Sequence, residues 1–337
     1  MAAAHGAGAD PEPALFRARL ANVRPLVNML KTLSFRPRAR CVINADGLVF
    51  TVEESQCLVA QAYLRSALFT SFTYDAQLAE HYANEEQQGV EAAGDDEEAQ
   101  TLDMTQLVLP LDNLIECLTL FYGPSGASSG GAQSGGHASS NLMTLGNPGD
   151  MRGATTAIIA FNGPGTDFEL MLEERGTISH CRLSTFVPEP PVDLKFSHYP
   201  TTQQLIIRSE WLRDAFNELD PTSEAVSIYI ASTEPHFRIS TVGESGSTEM
   251  TYSNSERVLD SFFCHEDQEN QYKLSLILKC KQALAMSDKT KIRINQRGFL
   301  SLQFMVATSA DFSFVNFVYA PLVTGDDPID MSTARLA

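Results

Sequence analysis

Ser209 to Asp220 reads SEWLRDAFNELD. Trp211, Leu212, Ala215, Phe216 and Leu219 recur at the spacing of one helical face, and Ser209 stands where an N-cap hydroxyl would, so the stretch predicts an amphipathic helix. A strand precedes it, Gln203 to Ile207. Strands Val226 to Ala231, Phe237 to Thr241 and Glu249 to Ser253 follow. A further helix, Ser275 to about Met286, then leads into a hairpin, Lys291 to Val306, turning near Arg297-Gly298.

The first half of the chain repeats this plan. A strand, Ala14 to Leu20, is followed by a helix with Asn22 as N-cap, Pro25 in its first turn, and Val23, Leu26, Val27, Leu30 and Leu33 on one face. A hairpin comes next, Ala39 to Asn44 and Leu48 to Glu53 about Asp46-Gly47, with more strands through Tyr74. A second helix, Pro110 to Phe121, aligns Leu111, Leu114, Ile115 and Leu118. Strand, helix, strands, helix, strands, twice over, predicts an α+β fold of two topologically similar domains, antiparallel sheets with helices on one side.

Composition marks the boundaries. Phe186 to Pro200 carries Pro188, Pro190, Pro191 and Pro200 and predicts an extended connector. An acidic segment, 84–100, holds Asp95, Asp96, Glu97 and Glu98 in a row, and 123–149 is dominated by Gly and Ser. Neither can bury enough apolar surface to offset the entropy of ordering, so both are expected to be inserts. The expected organisation is a first domain over 14–185 with these inserts, a connector over 186–200, a second domain over 201–324, and tails at 1–13 and 325–337.

Charge is segregated. The chain has a formal net charge of -18, yet more than half of its 24 basic residues fall in two short stretches. Leu15 to Arg40 holds Arg17, Arg19, Arg24, Lys31, Arg36, Arg38 and Arg40 with no acid. Tyr272 to Arg297 holds Lys273, Lys279, Lys281, Lys289, Lys291, Arg293 and Arg297 against Asp288 alone. An acidic protein that withholds carboxylates from two segments creates local positive surface, the electrostatic requirement for a polyanion. Arg24, Asn28 and Lys31 share a face of the first helix, and Lys279 and Gln282 one of the last, flanked by Lys281. Arg213 stands beside Asp214 and Glu218. The second helix carries Asp112 and Glu116 and no cation, so any such surface is uneven.

Several chemistries find no footing. The cysteines, Cys41, Cys57, Cys117, Cys181, Cys264 and Cys280, form no CxxC pair, and the seven histidines show no HxxxH or HxH spacing. There is no GxxxxGK[ST] loop and no GxSxG elbow. Met1 to Pro13 lacks the basic and apolar regions of a signal peptide, and no apolar run is long enough for a membrane span. Asp167 and Glu169 are a candidate metal-binding carboxylate pair for a nuclease. However, Phe168, Leu170 and Leu172 alternate with Asp167, Glu169, Met171 and Glu173, which an amphipathic strand explains without metal. No metal or cofactor is expected.

Three strings carry a specific resemblance: SEWLRDAFNELD with Thr222-Ser223-Glu224 after it, NQRGFLSLQ at Asn295 to Gln303, and GLVFTVEESQCLVA at Gly47 to Ala60 following the helix Asn22 to Leu33. In this order they resemble the Rad-one-type subunit of the heterotrimeric nine-one-one DNA-damage checkpoint clamp. The resemblance implies the DNA-clamp fold of proliferating cell nuclear antigen, with two domains per subunit, sheets outside, and four helices facing a channel. It also implies two other clamp subunits in the ring, an ATP-dependent clamp loader, double-stranded DNA bound without sequence specificity, checkpoint and repair proteins as partners, and the nucleus as location. Sliding requires phosphate-directed cations without base readout, and Arg24, Lys31, Arg213, Lys279 and Lys281 are the candidates for the channel. Clamps of this fold hold partner peptides in an apolar pocket beneath the connector, which here draws on Cys57, Leu58, Phe186, Val187, Pro321 and Leu322. A non-catalytic subunit is the expectation. The alternatives are a metal-dependent 3'-5' exonuclease and a homotrimeric replicative clamp.

Overall fold

A computed structural model describes residues 14–88, 104–121, 154–244, 246–307 and 312–322. In chain order the strands are β1 Phe16–Leu20, β2 Arg38–Asn44, β3 Gly47–Glu54, β4 Leu58–Arg65, β5 Ser71–Tyr74, β6 Met104–Pro110, β7 Thr156–Phe161, β8 Phe168–Glu174, β9 Thr177–Leu183, β10 Thr201–Arg208, β11 Ala225–Ile230, β12 Phe237–Gly243, β13 Gly246–Tyr252, β14 Leu259–Cys264, β15 Gln268–Lys273, β16 Lys289–Asn295, β17 Leu300–Ala307 and β18 Phe312–Tyr319. The helices are α1 Arg24–Lys31, α2 Ala76–Gln88, α3 Leu111–Leu118, α4 Ser209–Glu218, α5 Leu274–Ile277 and α6 Lys281–Met286. The described residues form two compact units, one within Met1–Leu30, Cys41–Leu48 and Arg65–Val187, the other within Lys31–Arg40, Val49–Leu64 and Pro188–Ala337. These are not the two halves of the chain in sequence, since 31–40 and 49–64 fall in the second unit.

The first unit contains a five-stranded antiparallel sheet, β5-β1-β7-β8-β9. Period-two alternation gives it one apolar face: Phe16, Phe161, Phe168 and Leu183 stand opposite one another in register, and all are buried. On α1, Arg24 N–H donates to Asn22 Oδ1 at 3.0 Å, the predicted cap, and Leu26, Val27, Met29 and Leu30 are buried. On α3, Leu111, Leu114 and Leu118 are buried, and the helix packs on β6 and β9.

The second unit holds a four-stranded sheet, β13-β12-β11-β15. It also holds a larger sheet in which the strands run in the order β14-β10-β16-β17-β18-β4. In that run Ile292, Leu302 and Phe317 align across neighbouring strands and are buried.

Several expectations need correction. Ser209 does not cap its helix; it is the first helical residue, is fully buried, and its Oγ lies 2.7 Å from Ser287 Oγ and 2.8 Å from Thr290 Oγ1. This hydroxyl cluster ties the start of α4 to the end of α6, and the two helices pack together. Trp211 does not join the apolar stripe but is 38% exposed, while Leu212, Ala215, Phe216 and Leu219 are buried. The helix expected over 275–286 is broken into α5, a 3-10 turn at Leu278–Cys280, and α6. The segment 84–100 is not wholly an insert: 84–88 complete α2, and 89–103 lie outside the described residues, as do 123–149 and both tails. The helix α2 and the strands β6, β7, β9, β14 and β15 are not among the elements expected from the sequence.

The Arg297-Gly298 turn closes the β16–β17 hairpin with Gly298 at φ 77°, and a Cβ there would stand 2.3 Å from Asn270 Oδ1. The Gly298 carbonyl also accepts the buried Tyr272 hydroxyl at 2.7 Å. Gly298→Ala is expected to lower the unfolding free energy by about 1–2 kcal/mol from the left-handed backbone alone. The Asn270 clash adds to this. Chemical denaturation checks it, and an Asn270→Ala background should return part of the loss.

Candidate nucleic-acid and partner interface

Each predicted cation has a defined setting. Arg24 is exposed at the start of α1, and Lys31, in its last turn, is half-buried where a cation complements the helix dipole. On α4, Arg213 is exposed among Glu210, Asp214, Asn217 and Glu218, so this face is net acidic. On the neighbouring α6, Lys281 is exposed and, among the described residues, makes no ion pair. Lys279 differs from the others. It sits in the 3-10 turn with Nζ 3.6 Å from Glu54 Oε2 and 5.5 Å from the centre of the Phe35 ring. An internal carboxylate thus balances its charge. On α3, Asp112 and Glu116 are exposed, with Asp112 in the first turn where the dipole favours an acid.

The candidate pocket residues separate by unit. In the second, the Cys57 carbonyl accepts Ala320 N–H at 2.8 Å, which brings half-buried Cys57 beside the chain entering Pro321. Leu322 is 41% exposed, its N–H held by the Gln271 carbonyl. Leu58 pairs with Tyr319 and is fully buried, so it belongs to the core and presents no surface to a peptide. In the first unit, Phe186 pairs with Val108 through two backbone hydrogen bonds and is 40% exposed; Val187 is 88% exposed.

Polar anchors on the connector went unnoticed in the sequence. The Arg40 guanidinium donates to the Glu189 carbonyl, Glu53 Oε1 accepts Val192 N–H at 3.2 Å, and Asn295 Nδ2 donates to the Phe196 carbonyl at 3.1 Å. Arg293 and Arg297 lie over the rings of Phe196 and Tyr199 at 5.2 and 5.6 Å. Only the proline content of the connector hinted that it would be held in place.

Asp167 is exposed just before β8, and Glu169 pairs with Arg182 at 3.4 Å. Phe168, Leu170 and Leu172 are buried, so the alternation is that of an amphipathic strand. Among the described residues no three His, Cys, Asp or Glu side chains are grouped to hold a metal ion. The cysteines are unpaired thiols; burial pushes the Cys280 thiol up to about 12 and that of Cys41 higher still. Among the described residues no helix is long and apolar enough to cross a membrane.

Mostly antiparallel sheets with few helices are consistent with the fold of proliferating cell nuclear antigen, the sliding-clamp class. Residues 15–306 match the family described as "Repair protein Rad1/Rec1/Rad17". The chain is 31% identical over 306 residues to "Cell cycle checkpoint protein RAD1" of Homo sapiens, covering 90% of each. It is 29% identical over 311 residues to "DNA damage checkpoint control protein rad1" of Schizosaccharomyces pombe, covering 91% of this chain and 87% of that one. It is 22% identical to "DNA repair exonuclease REC1" of Mycosarcoma maydis, covering 86% and 87%. The chain belongs to the Rad1/Rec1/Rad17 family of DNA-damage checkpoint and repair proteins.

Proposed function

We propose that this chain is a non-catalytic subunit of a heterotrimeric checkpoint clamp that encircles duplex DNA in the nucleus, is placed there by an ATP-dependent loader, and presents its outer surface to checkpoint and repair proteins. The observation that carries this reading is the match to checkpoint RAD1 proteins over nine-tenths of the chain. The expected two-domain, four-helix architecture, with α1, α3, α4 and the broken α5–α6 helix toward the channel, is part of the same reading.

Sheet edges supply a physical reason for assembly. In the first unit β9 is an edge strand with Ile178 56% exposed, and in the second β13 is an edge strand with most residues exposed. An open edge invites pairing with another chain, and two unlike edges suit head-to-tail contacts that close into a ring. In this reading β9 meets one partner subunit and β13 the other.

The decisive experiment offers the assembled trimer and its loader to linear DNA with blocked or free ends. Retention on blocked DNA and loss from free ends is expected; equal retention on both rejects encirclement. A stable trimer of this chain alone, by light scattering, would favour the homotrimeric alternative. The exonuclease alternative is not favoured, because Glu169 is engaged by Arg182 and Asp167 lies outside the strand.

A further inference from the structure

The sheet of the first unit has a second face with a different character. Because Phe16, Ala18 and Leu20 on β1 and Phe168, Leu170 and Leu172 on β8 are buried on one side, the alternate residues stand on the other. Register arranges these in rows. Arg17 is opposite Ala160, Ala160 opposite Glu169, and Glu169 opposite Arg182; the next row runs Arg19, Ile158, Met171, His180. Ala160 is the short side chain in its row, and a cavity of about 240 Å³ opens there, bordered by Arg17, Glu169, Met171, His180 and Arg182.

The charges around it are unbalanced. Arg17 and Arg19 are exposed, and among the described residues neither is in an ion pair. Arg182 reaches Glu169 at 3.4 Å with its side chain 74% exposed. Three guanidinium groups therefore face one carboxylate across these two rows, on a chain whose net charge is -18. The floor, Ile158, Ala160 and Met171, is apolar and half-buried.

We propose that this groove docks an acidic, extended peptide segment of a partner protein, with a carboxylate on Arg17 and an apolar side chain seated over Ala160 and Met171. An extended peptide alternates its side chains every residue, so charged and apolar groups can reach rim and floor in turn. Nucleic acid fits less well. A phosphate backbone spaces negative charge evenly and would set phosphate against Glu169, with no use for an apolar floor. Complementary charge sets the orientation and the encounter rate, and the floor supplies the desolvated contact.

The probe is a short fluorescent peptide of alternating glutamate and leucine, its binding followed by anisotropy at low salt. The intact protein is expected to bind it, Arg17→Glu to weaken it about tenfold or more through lost and reversed charge, and Ala160→Phe, which fills the depression, to weaken it comparably. A peptide with glutamine in place of glutamate should not bind. Both substitutions are at positions outside the core, and circular dichroism of each variant reports that the fold is retained. The proposal is overturned by absence of binding to the intact protein, by variants that bind as tightly as the intact protein, or by a duplex oligonucleotide that displaces the peptide and itself depends on Arg17.

Discussion

Phe317→Ala is expected to lower the unfolding free energy by about 3–5 kcal/mol, the range for removing a fully buried aromatic ring. Phe317 lies mid-strand in β18, opposite Leu302 of β17 and Ala60 of β4. Its ring is fully buried, 5.8 Å from Phe304, 6.2 Å from Phe35 and 6.2 Å from Tyr319 in a near-parallel stack. Backbone ladders on both sides hold β18, so the site cannot readily collapse to fill the void, and the cavity penalty adds to the lost transfer energy. Urea denaturation of the variant measures it. Phe317→Leu, which keeps most of the volume, should cost less than half as much; equal losses in the two would mean that ring geometry, not volume, is what the position requires. A loss below about 1 kcal/mol in the alanine variant would show that this cluster does not anchor the unit.

The parts of the fold visible in the sequence are those where local chemistry and tertiary packing agree. Asp46-Gly47 and Arg297-Gly298 give hairpins because the turn glycines adopt positive φ, and α1, α3 and α4 give regular apolar stripes. What escaped was decided elsewhere. Gln268–Lys273 reads QENQYK, a strand with Tyr272 as its buried side chain, held by backbone pairing to β11 that composition does not signal. Ala76–Gln88 is polar enough to merge with the acidic segment after it. Ser209 carries a capping residue's chemistry at the start of its helix, yet it is the first helical residue and its hydroxyl goes to Ser287 and Thr290, which sequence distance conceals. The candidate interface divides in the same way. Exposure of Arg24, Arg213 and Lys281 follows from helical periodicity, whereas the engagement of Lys279 by Glu54 is a tertiary fact.

That difference between two lysines gives the second large effect. If the helices carry the DNA contact, replacing Lys31 and Lys281 together by glutamate removes two phosphate-directed cations. The dependence of log affinity on log salt should then flatten by about 1.8, at about 0.9 per contact. Binding at low salt falls most, because that is where counterion release contributes most. Lys279→Ala is predicted to leave the slope unchanged, since its charge is already balanced by Glu54 at 3.6 Å. It should cost about 1–3 kcal/mol in stability, because it leaves the buried Glu54 Oε2 without its cation. The measurement is the affinity of the assembled ring for short duplex DNA across a salt series, for each variant. A flattened slope in Lys279→Ala would mean that this lysine leaves Glu54 for phosphate. An unchanged slope in the double variant would remove these helices from the DNA-facing surface and leave the family match without an electrostatic mechanism.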